Sequence, residues 1–98
     1  MNTKIDATIR SDTWEIQETR ENLGLDCLGV CVADAKVIIT DPKLRGKTRL
    51  EVLVHEFAHA FFPDLEEDVV DQFGGQLGDV MWSLGYRRSK HKSKAVEI

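Results

Sequence analysis

The sequence lacks the long apolar segment of a membrane-spanning helix, and it has no excess of positive charge. No apolar run approaches the length of about 18 residues that crosses a bilayer. The polar opening MNTKIDATIR does not match a signal peptide. With 13 Lys and Arg against 17 Asp and Glu, the net charge of −4 argues against a nucleic-acid clamp in the body of the chain. These absences predict a cytoplasmic protein with no membrane partner.

Cysteine is also scarce, and the two that are present, Cys27 and Cys31, lie in the segment CLGVC. On a strand both side chains would face one side about 13 Å apart, at about 3.3 Å per residue. That separation is too long for a disulfide, and the spacing differs from the CxxC of redox and zinc sites. We therefore predict two reduced, mostly buried thiols that pack as small apolar groups.

The first 40 residues have the alternation of short strands. Residues 4–18 alternate loosely around a polar turn at 10–13, which favours two strands. LGVCV at 28–32 and KVIIT at 36–40 flank a short connection and predict a hairpin. Asp41-Pro42 then ends the strand, because proline cannot donate to a sheet. The pattern predicts a small antiparallel N-terminal sheet.

Past Gly46 the apolar period changes to that of a helix. Thr48 and Glu51 form a T-x-x-E capping box that predicts the helix start, and Pro63 predicts its end. Asp64 is then a candidate cap for a second, antiparallel helix that stops at Gly85. Each predicted helix has an apolar stripe, namely Leu50, Leu53, Val54, Phe57, Ala58 and Phe61 on the first, and Leu65, Val69, Phe73, Leu77, Met81 and Leu84 on the second. Strands followed by helices indicate the α+β class.

The first predicted helix contains the motif HExxH, formed by His55, Glu56 and His59. Residues four apart on a helix lie one turn apart on the same face, so both imidazoles can reach one metal ion. Glu56 lies beside them, where a carboxylate can act as general base on a metal-activated water. The alternative is a pair of half-exposed histidines on an ordinary helix.

A zinc site of this kind needs a third protein ligand, and the acidic segment after Pro63 offers several. If the second helix runs back along the first, its opening turns lie beside His59. Glu67 is the preferred candidate, and Glu66, Asp68, Asp71 and His91 remain open, as does the absence of any ligand. A different interpretation also stands, because Asp64 and Glu67 have the spacing of a capping box and acidic residues favour helix N-termini.

The segment from Leu50 to Arg87, with HEFAHAFFPDLEEDV and the closing WSLGYR, resembles small phage-encoded metallopeptidases of the SprT-like, minimal zincin kind. It is also similar to the HExxH segment of the ImmA/IrrE peptidases, in which a glutamate on the following helix is the third ligand. The resemblance implies a gluzincin-type Zn²⁺ site in a minimal zincin-like domain. It also implies that the strand before the helix borders a cleft, where an extended peptide pairs by β-addition. A phage origin would place the protein in the host cytoplasm.

We therefore expect a zinc-dependent metallopeptidase that acts on a peptide or protein substrate, with Glu56 as base and His55, His59 and Glu67 as ligands. The alternative is a catalytically weak or inactive zincin-fold module that uses zinc structurally and binds a protein partner. We expect one monomeric domain over residues 1–88. Residues 89–98 form a basic tail that we expect to be flexible and to contact nucleic acid at most weakly.

Overall fold

The computed structural model describes residues 2–88, in which four strands precede two helices. The predicted α+β class, with strands first, is confirmed. The basic tail at 89–98 and His91 lie outside the described residues. Neither helix within residues 2–88 combines the length and apolar composition that crossing a membrane requires. The elements are β1 (Thr3–Ile9), β2 (Asp12–Glu18), β3 (Gly29–Val32), β4 (Val37–Thr40), α1 (Gly46–Phe61) and α2 (Glu67–Ser83).

The sheet is mixed, so the prediction of a purely antiparallel sheet is wrong. Both predicted hairpins form, because β1 pairs with β2 and β3 pairs with β4 in antiparallel register. The two hairpins are joined by a parallel pairing of β2 with β4, which gives the order β1-β2-β4-β3. Residues 19–36 between β2 and β4 are long enough for the crossover that parallel pairing needs. The apolar strand VIIT thereby takes a central position, and β3 lies at the edge of the sheet.

The core lies between one face of the sheet and α1. It consists of Ile9, Trp14, Ile16, Ile38 and Ala60, and the side chain of Ile38 is fully buried. Helix α1 contacts β3 and β4. This packing fixes α1 directly behind the edge strand β3.

The prediction for the two cysteines is confirmed in part. Both thiols are free, and each residue is half-buried where we expected mostly buried thiols. Cys31 lies on β3, and Cys27 precedes that strand and donates a hydrogen bond to the carbonyl oxygen of Gly29 at 3.1 Å. Burial is the main cause that raises the pKa of the Cys31 thiol, and the charge of Glu56 adds to it. The predicted reduced state therefore agrees with the structure.

Both predicted helix caps are wrong. Helix α1 begins at Gly46 with Arg45 as N-cap, two residues before Thr48, and no side chain caps it. Gly46 adopts a φ of +60° and lies under the ring of Trp82, and this left-handed turn starts the helix early. Helix α2 begins at Glu67 with Glu66 as N-cap, so Asp64 lies outside it.

The predicted stop of α2 at Gly85 is confirmed. Gly85 has a φ of +96°. Its N–H donates to the carbonyl oxygen of Trp82 at 3.0 Å, and the N–H of Tyr86 donates to that of Met81 at 3.0 Å. These two bonds form a Schellman motif, which ends the helix and satisfies its last carbonyl groups.

The two helices run antiparallel and approach closely through small residues. A Cβ on Gly74 would lie 3.1 Å from Cβ of His55, and one on Gly78 would lie 2.6 Å from Cγ of Glu51. The buried residues of α2 are Val70, Gly74 and Gly78, and those of α1 are Glu56, Ala58 and Ala60. Several members of the predicted apolar stripes, including Phe57 and Phe73, are instead exposed. The small residues therefore occupy the contact between the helices.

Candidate metal centre

The two histidines of the HExxH motif face one another on α1. His55 and His59 lie one helical turn apart, and their Nε2 atoms are 3.2 Å apart. The rings meet edge to face, with centroids 4.8 Å apart. Their side chains are 19% and 28% exposed, so the site is partly shielded and still open to solvent.

Helix α2 places Glu67 against both histidines. Its Oε2 lies 3.1 Å from Nε2 of His55, and its Oε1 lies 2.9 Å from Nε2 of His59. Ligand atoms of these three residues all fall within 4.8 Å of one another. The prediction that the return of the second helix brings an acidic residue to the histidines is confirmed for Glu67.

The other acidic candidates differ in position. Glu66 and Asp68 form no ion pair with either histidine among the residues that the structure describes. Asp71 lies one turn after Glu67 and contacts the other ring nitrogen, with Oδ1 3.1 Å from Nδ1 of His55. Asp71 is therefore placed to orient the imidazole of His55. Glu67 is the first residue of α2 and Asp64 is no cap, so the structure contains no capping box here.

The donor groups lie near the spacing that a zinc site needs. Zn–N and Zn–O bonds of about 2.0–2.1 Å at tetrahedral angles place neighbouring donors about 3.3 Å apart. The two Nε2 atoms are 3.2 Å apart, and each lies 2.9–3.1 Å from a different carboxylate oxygen of Glu67. The donor set of two imidazoles and one carboxylate therefore fits a zinc ion in its chemistry, with one atom from each residue within 4.8 Å of the others.

The four polar side chains converge on one point. Nε2 of His55 and Nε2 of His59 face each other and the carboxylate of Glu67, and Nδ1 of His55 faces Asp71. A cation bound at the two Nε2 atoms and the carboxylate would be coordinated by three groups at once.

Glu56 occupies a different environment from the three candidate ligands. Glu56 is 9% exposed, because its side chain packs against Gly29 at the start of β3. Burial raises the pKa of its carboxyl group, the charges of His55 and His59 lower it, and that of Glu67 raises it. A carboxylate that holds a proton more readily than usual is suited to accept one from water.

An open cavity of about 310 Å³ lies beside His55. It extends from the start of β3 across α1 to α2, so a bound molecule would lie next to both His55 and Glu56. Its lining residues are Leu28, Gly29, Glu51, Val52, His55, Glu56, Asp71 and Gly75.

The sequence did not predict the roles of two residues of the site, Gly29 and Asp71. A Cβ on Gly29 would lie 2.8 Å from Cγ1 of Val52 and 3.3 Å from Oε2 of Glu56, so only glycine leaves room for the buried carboxylate. No local pattern in LGVC indicates this contact. Asp71 was expected from the sequence only as a candidate metal ligand. In the structure it lies one turn after Glu67 and contacts Nδ1 of His55, on the far side of the ring from Glu67.

Among known proteins, no family model, no curated protein and no solved structure matches this chain.

Proposed function

We propose that the protein is a zinc-dependent metallopeptidase with His55, His59 and Glu67 as its zinc ligands. The observation that carries the proposal is the convergence of two imidazole nitrogens and one carboxylate at 2.9–3.2 Å. This donor set leaves a fourth tetrahedral position free, which distinguishes catalytic zinc sites from closed structural ones. Glu56 follows the first ligand directly and is held apart from the metal ligands by its burial.

Bound zinc would supply a Lewis acid that polarises a peptide carbonyl and acidifies water. The chain's own residues perform the remaining steps. Glu56 accepts a proton from the attacking water and delivers it to the leaving amide nitrogen. Asp71 accepts the N–H of His55 Nδ1, which keeps the lone pair of Nε2 directed at the metal position. The cavity beside His55 and Glu56 holds the substrate carbonyl next to both.

The order of the elements supports a minimal zincin-like domain. Four strands precede the HExxH helix, and a second antiparallel helix supplies the carboxylate, which agrees with the resemblance to SprT-like and ImmA/IrrE peptidases. The strand β3 lies next to Glu56, and within residues 2–88 it pairs on one side only, with β4. An extended peptide that adds to β3 would therefore pass the site.

A non-catalytic zinc module is the second candidate, and the small size of the cleft favours it. The cavity of about 310 Å³ is at the lower limit of ligand pockets, which measure about 300–1,000 Å³. In that case zinc would join α1 to α2, and the groove would bind a protein partner without cleaving it. Turnover by the metal-loaded protein separates the two candidates.

Measurement of zinc affinity across matched variants tests the ligand assignment. Glu67→Gln removes the charge of the proposed ligand and should weaken zinc binding by more than about 100-fold, since a residue that binds the metal directly matters at least as much as the residues that support it. Glu66→Gln and Asp68→Asn remove the same charge from neighbouring positions, about 100° away around the helix. They should change zinc affinity by less than about threefold. Normal zinc binding by Glu67→Gln contradicts the proposal.

Turnover of a peptide library by the zinc-loaded protein tests the catalytic role. Glu56→Gln should retain zinc and abolish cleavage, because the base is lost while both imidazoles remain. Cleavage at the wild-type rate by Glu56→Gln removes Glu56 from its role. A zinc-loaded wild type that cleaves no peptide favours the non-catalytic module.

A further inference from the structure

The two helices expose an apolar surface on the side opposite the candidate metal centre. It consists of Leu53, Phe57 and Phe61 on α1 and Val69, Phe73 and Leu77 on α2, and we call it the apolar helix face. Their exposure ranges from 36% for Leu53 to 43% for Phe73. In each helix the three residues are four apart, so each set forms one stripe.

Helical geometry places both stripes on the same side. On α1, Phe57 is two residues from both His55 and His59 and so lies about 160° from each around the axis. On α2, Val69 has the same relation to Glu67 and Asp71, and Phe73 is two residues from Asp71. Because the histidines meet Glu67 and Asp71 on one side of the helix pair, both stripes lie on the other side.

The close approach of the helices is the physical reason for this exposure. Gly74 and Gly78 are buried against His55 and Glu51, so no large side chain fits between α1 and α2. The rings of Phe57 and Phe61 stack on one another with centroids 6.3 Å apart and stay at the surface. Close packing of the small residues thus brings the proposed ligands together, and among residues 2–88 nothing covers the large apolar side chains.

We propose that the apolar helix face pairs with the same face of a second copy, in antiparallel orientation about a twofold axis, to form a layer of four helices. This replaces the monomer expected from the sequence and does not depend on the proposed catalysis. With aromatic side chains covering about 150–250 Å² each, the six residues expose roughly 500 Å² per copy. The neighbouring Phe62, Leu65 and Val80 are also exposed. With them, the exposed area of the face approaches the area that each partner buries in a stable interface, which is about 800 Å².

The charges at the two ends of the helix pair identify a second copy as the occupant. One end is acidic and the opposite end is basic, and an antiparallel arrangement brings the acidic end of each copy to the basic end of the other. An anionic membrane would instead favour a border that is basic throughout. The exposed acidic residues at one end are Asp64, Glu66, Glu67 and Asp68. The exposed basic residues at the other end are Lys43, Arg45, Lys47, Arg87 and Arg88, and they outnumber the acidic Asp79, which pairs with Lys47.

Sedimentation equilibrium of the full chain between about 1 and 100 μM tests the pairing, since interfaces of this size reach micromolar affinity or better. The wild type should form a dimer. Phe73→Glu should weaken the dimer by at least about 100-fold, because it places an unpaired charge in the buried centre. Leu25→Glu is the matched control, since Leu25 is 91% exposed in a loop away from the face, and it should leave the dimer unchanged.

Charge reversal tests the antiparallel orientation. Glu66→Lys and Arg45→Glu should each weaken the dimer severalfold, and the double variant should recover the wild-type affinity. Unchanged circular dichroism must accompany each variant. A wild type that stays monomeric up to about 100 μM, a dimer that survives Phe73→Glu, or equal loss with Leu25→Glu overturns the proposal.

Discussion

The two sides of α1 are built on opposite principles. On one side His55 and His59 meet the carboxylates of α2 at about 3 Å, and small residues set that distance. On the other side Leu53, Phe57 and Phe61 remain 36–37% exposed. Polar ligands need a short and fixed separation between the helices, whereas large apolar side chains need a wide one. In this chain the polar side determines the separation.

The difference shows what fixes the candidate site. Glu67 and Asp71 are 65% and 68% exposed at the side chain, so little other packing holds them. Their positions depend on the approach of α2 to α1 at Gly74 and Gly78. A change in that approach should therefore affect the metal centre first and the sheet least.

The largest effect is expected from Gly74→Ala. The new Cβ would lie 3.1 Å from Cβ of His55 and 3.2 Å from the carbonyl oxygen of Glu51, both on α1. Overpacking of this kind costs about 1–3 kcal/mol, and the separated helices should carry Glu67 away from the histidines. We expect zinc affinity to fall by more than about 100-fold, as measured by competition with a chelator, and the melting temperature of the metal-free protein to fall as well.

Gly75→Ala is the matched control for that comparison. A Cβ at Gly75 would meet no atom within 4 Å, so the change adds only helix propensity. The metal-free protein should gain up to about 1 kcal/mol in its free energy of unfolding, with zinc affinity unchanged. Equal zinc binding by both alanine variants would show that the close approach of the helices does not position Glu67.

The sequence could predict the parts of the site that repeat with the helical period. HExxH predicts that His55 and His59 share one face, and Pro63 followed by acidic residues predicts a returning helix with a carboxylate at its start. The helix starts were not predictable from capping patterns, because the left-handed turn at Gly46 and the longer connection after Pro63 depend on tertiary packing. The exposed stripes were not predictable either, since an apolar period does not reveal how close the partner helix comes.

The sheet illustrates a similar limit. Both hairpins follow from alternating segments and short connections, and these are local properties. The parallel pairing of β2 with β4 depends on which hairpin edge the crossover at 19–36 reaches, and no local pattern encodes that choice. The crossover is also what brings Gly29 beside Glu56, so the environment of the proposed base could not be read from HExxH alone.

Asp71→Asn should have the second-largest effect, because it changes the support of one ligand and leaves the helix contact intact. Loss of the charge that faces Nδ1 of His55 weakens the orientation and basicity of its Nε2. Supporting carboxylates of this kind typically contribute 10–100-fold in metal affinity, and we expect about that loss. Asp79→Asn serves as control, since Asp79 lies on the same helix and pairs with Lys47 at 3.1 Å. Equal zinc affinities for the two variants would contradict the role of Asp71.

Gly29→Ala should separate the role of the proposed base from that of the proposed metal ligands. Its Cβ would lie 2.8 Å from Cγ1 of Val52 and 3.2 Å from Cγ of Glu56, and its three nearest atoms all belong to these two residues. Peptide cleavage should fall by about 10-fold or more, because a displacement of about 1 Å at a catalytic group is costly, while zinc affinity stays within about threefold. Gly24→Ala is the control, with its nearest neighbour at an ordinary 3.7 Å. Joint loss of zinc and cleavage in Gly29→Ala would mean that the edge strand supports the whole centre.

The smallest expected effect concerns the charge of Glu56 in metal-free protein. Burial raises the pKa of this carboxyl group above its ordinary value, against the opposing charges of His55 and His59, so the folded state holds the proton more tightly than the unfolded state. The contribution of Glu56 to the stability of the wild type should therefore fall as the pH rises from the ordinary glutamate pKa through the raised value, and stay at the lower level above it. Glu56→Gln has no proton to lose.

Its advantage over the wild type should grow across that pH interval and then stay constant. Urea unfolding of both proteins in the presence of a chelator, at several pH values, measures this difference, because groups that do not interact with Glu56 titrate alike in the two proteins. A difference that is independent of pH, or that shrinks as the pH rises, would mean that burial does not disfavour the charged form of Glu56.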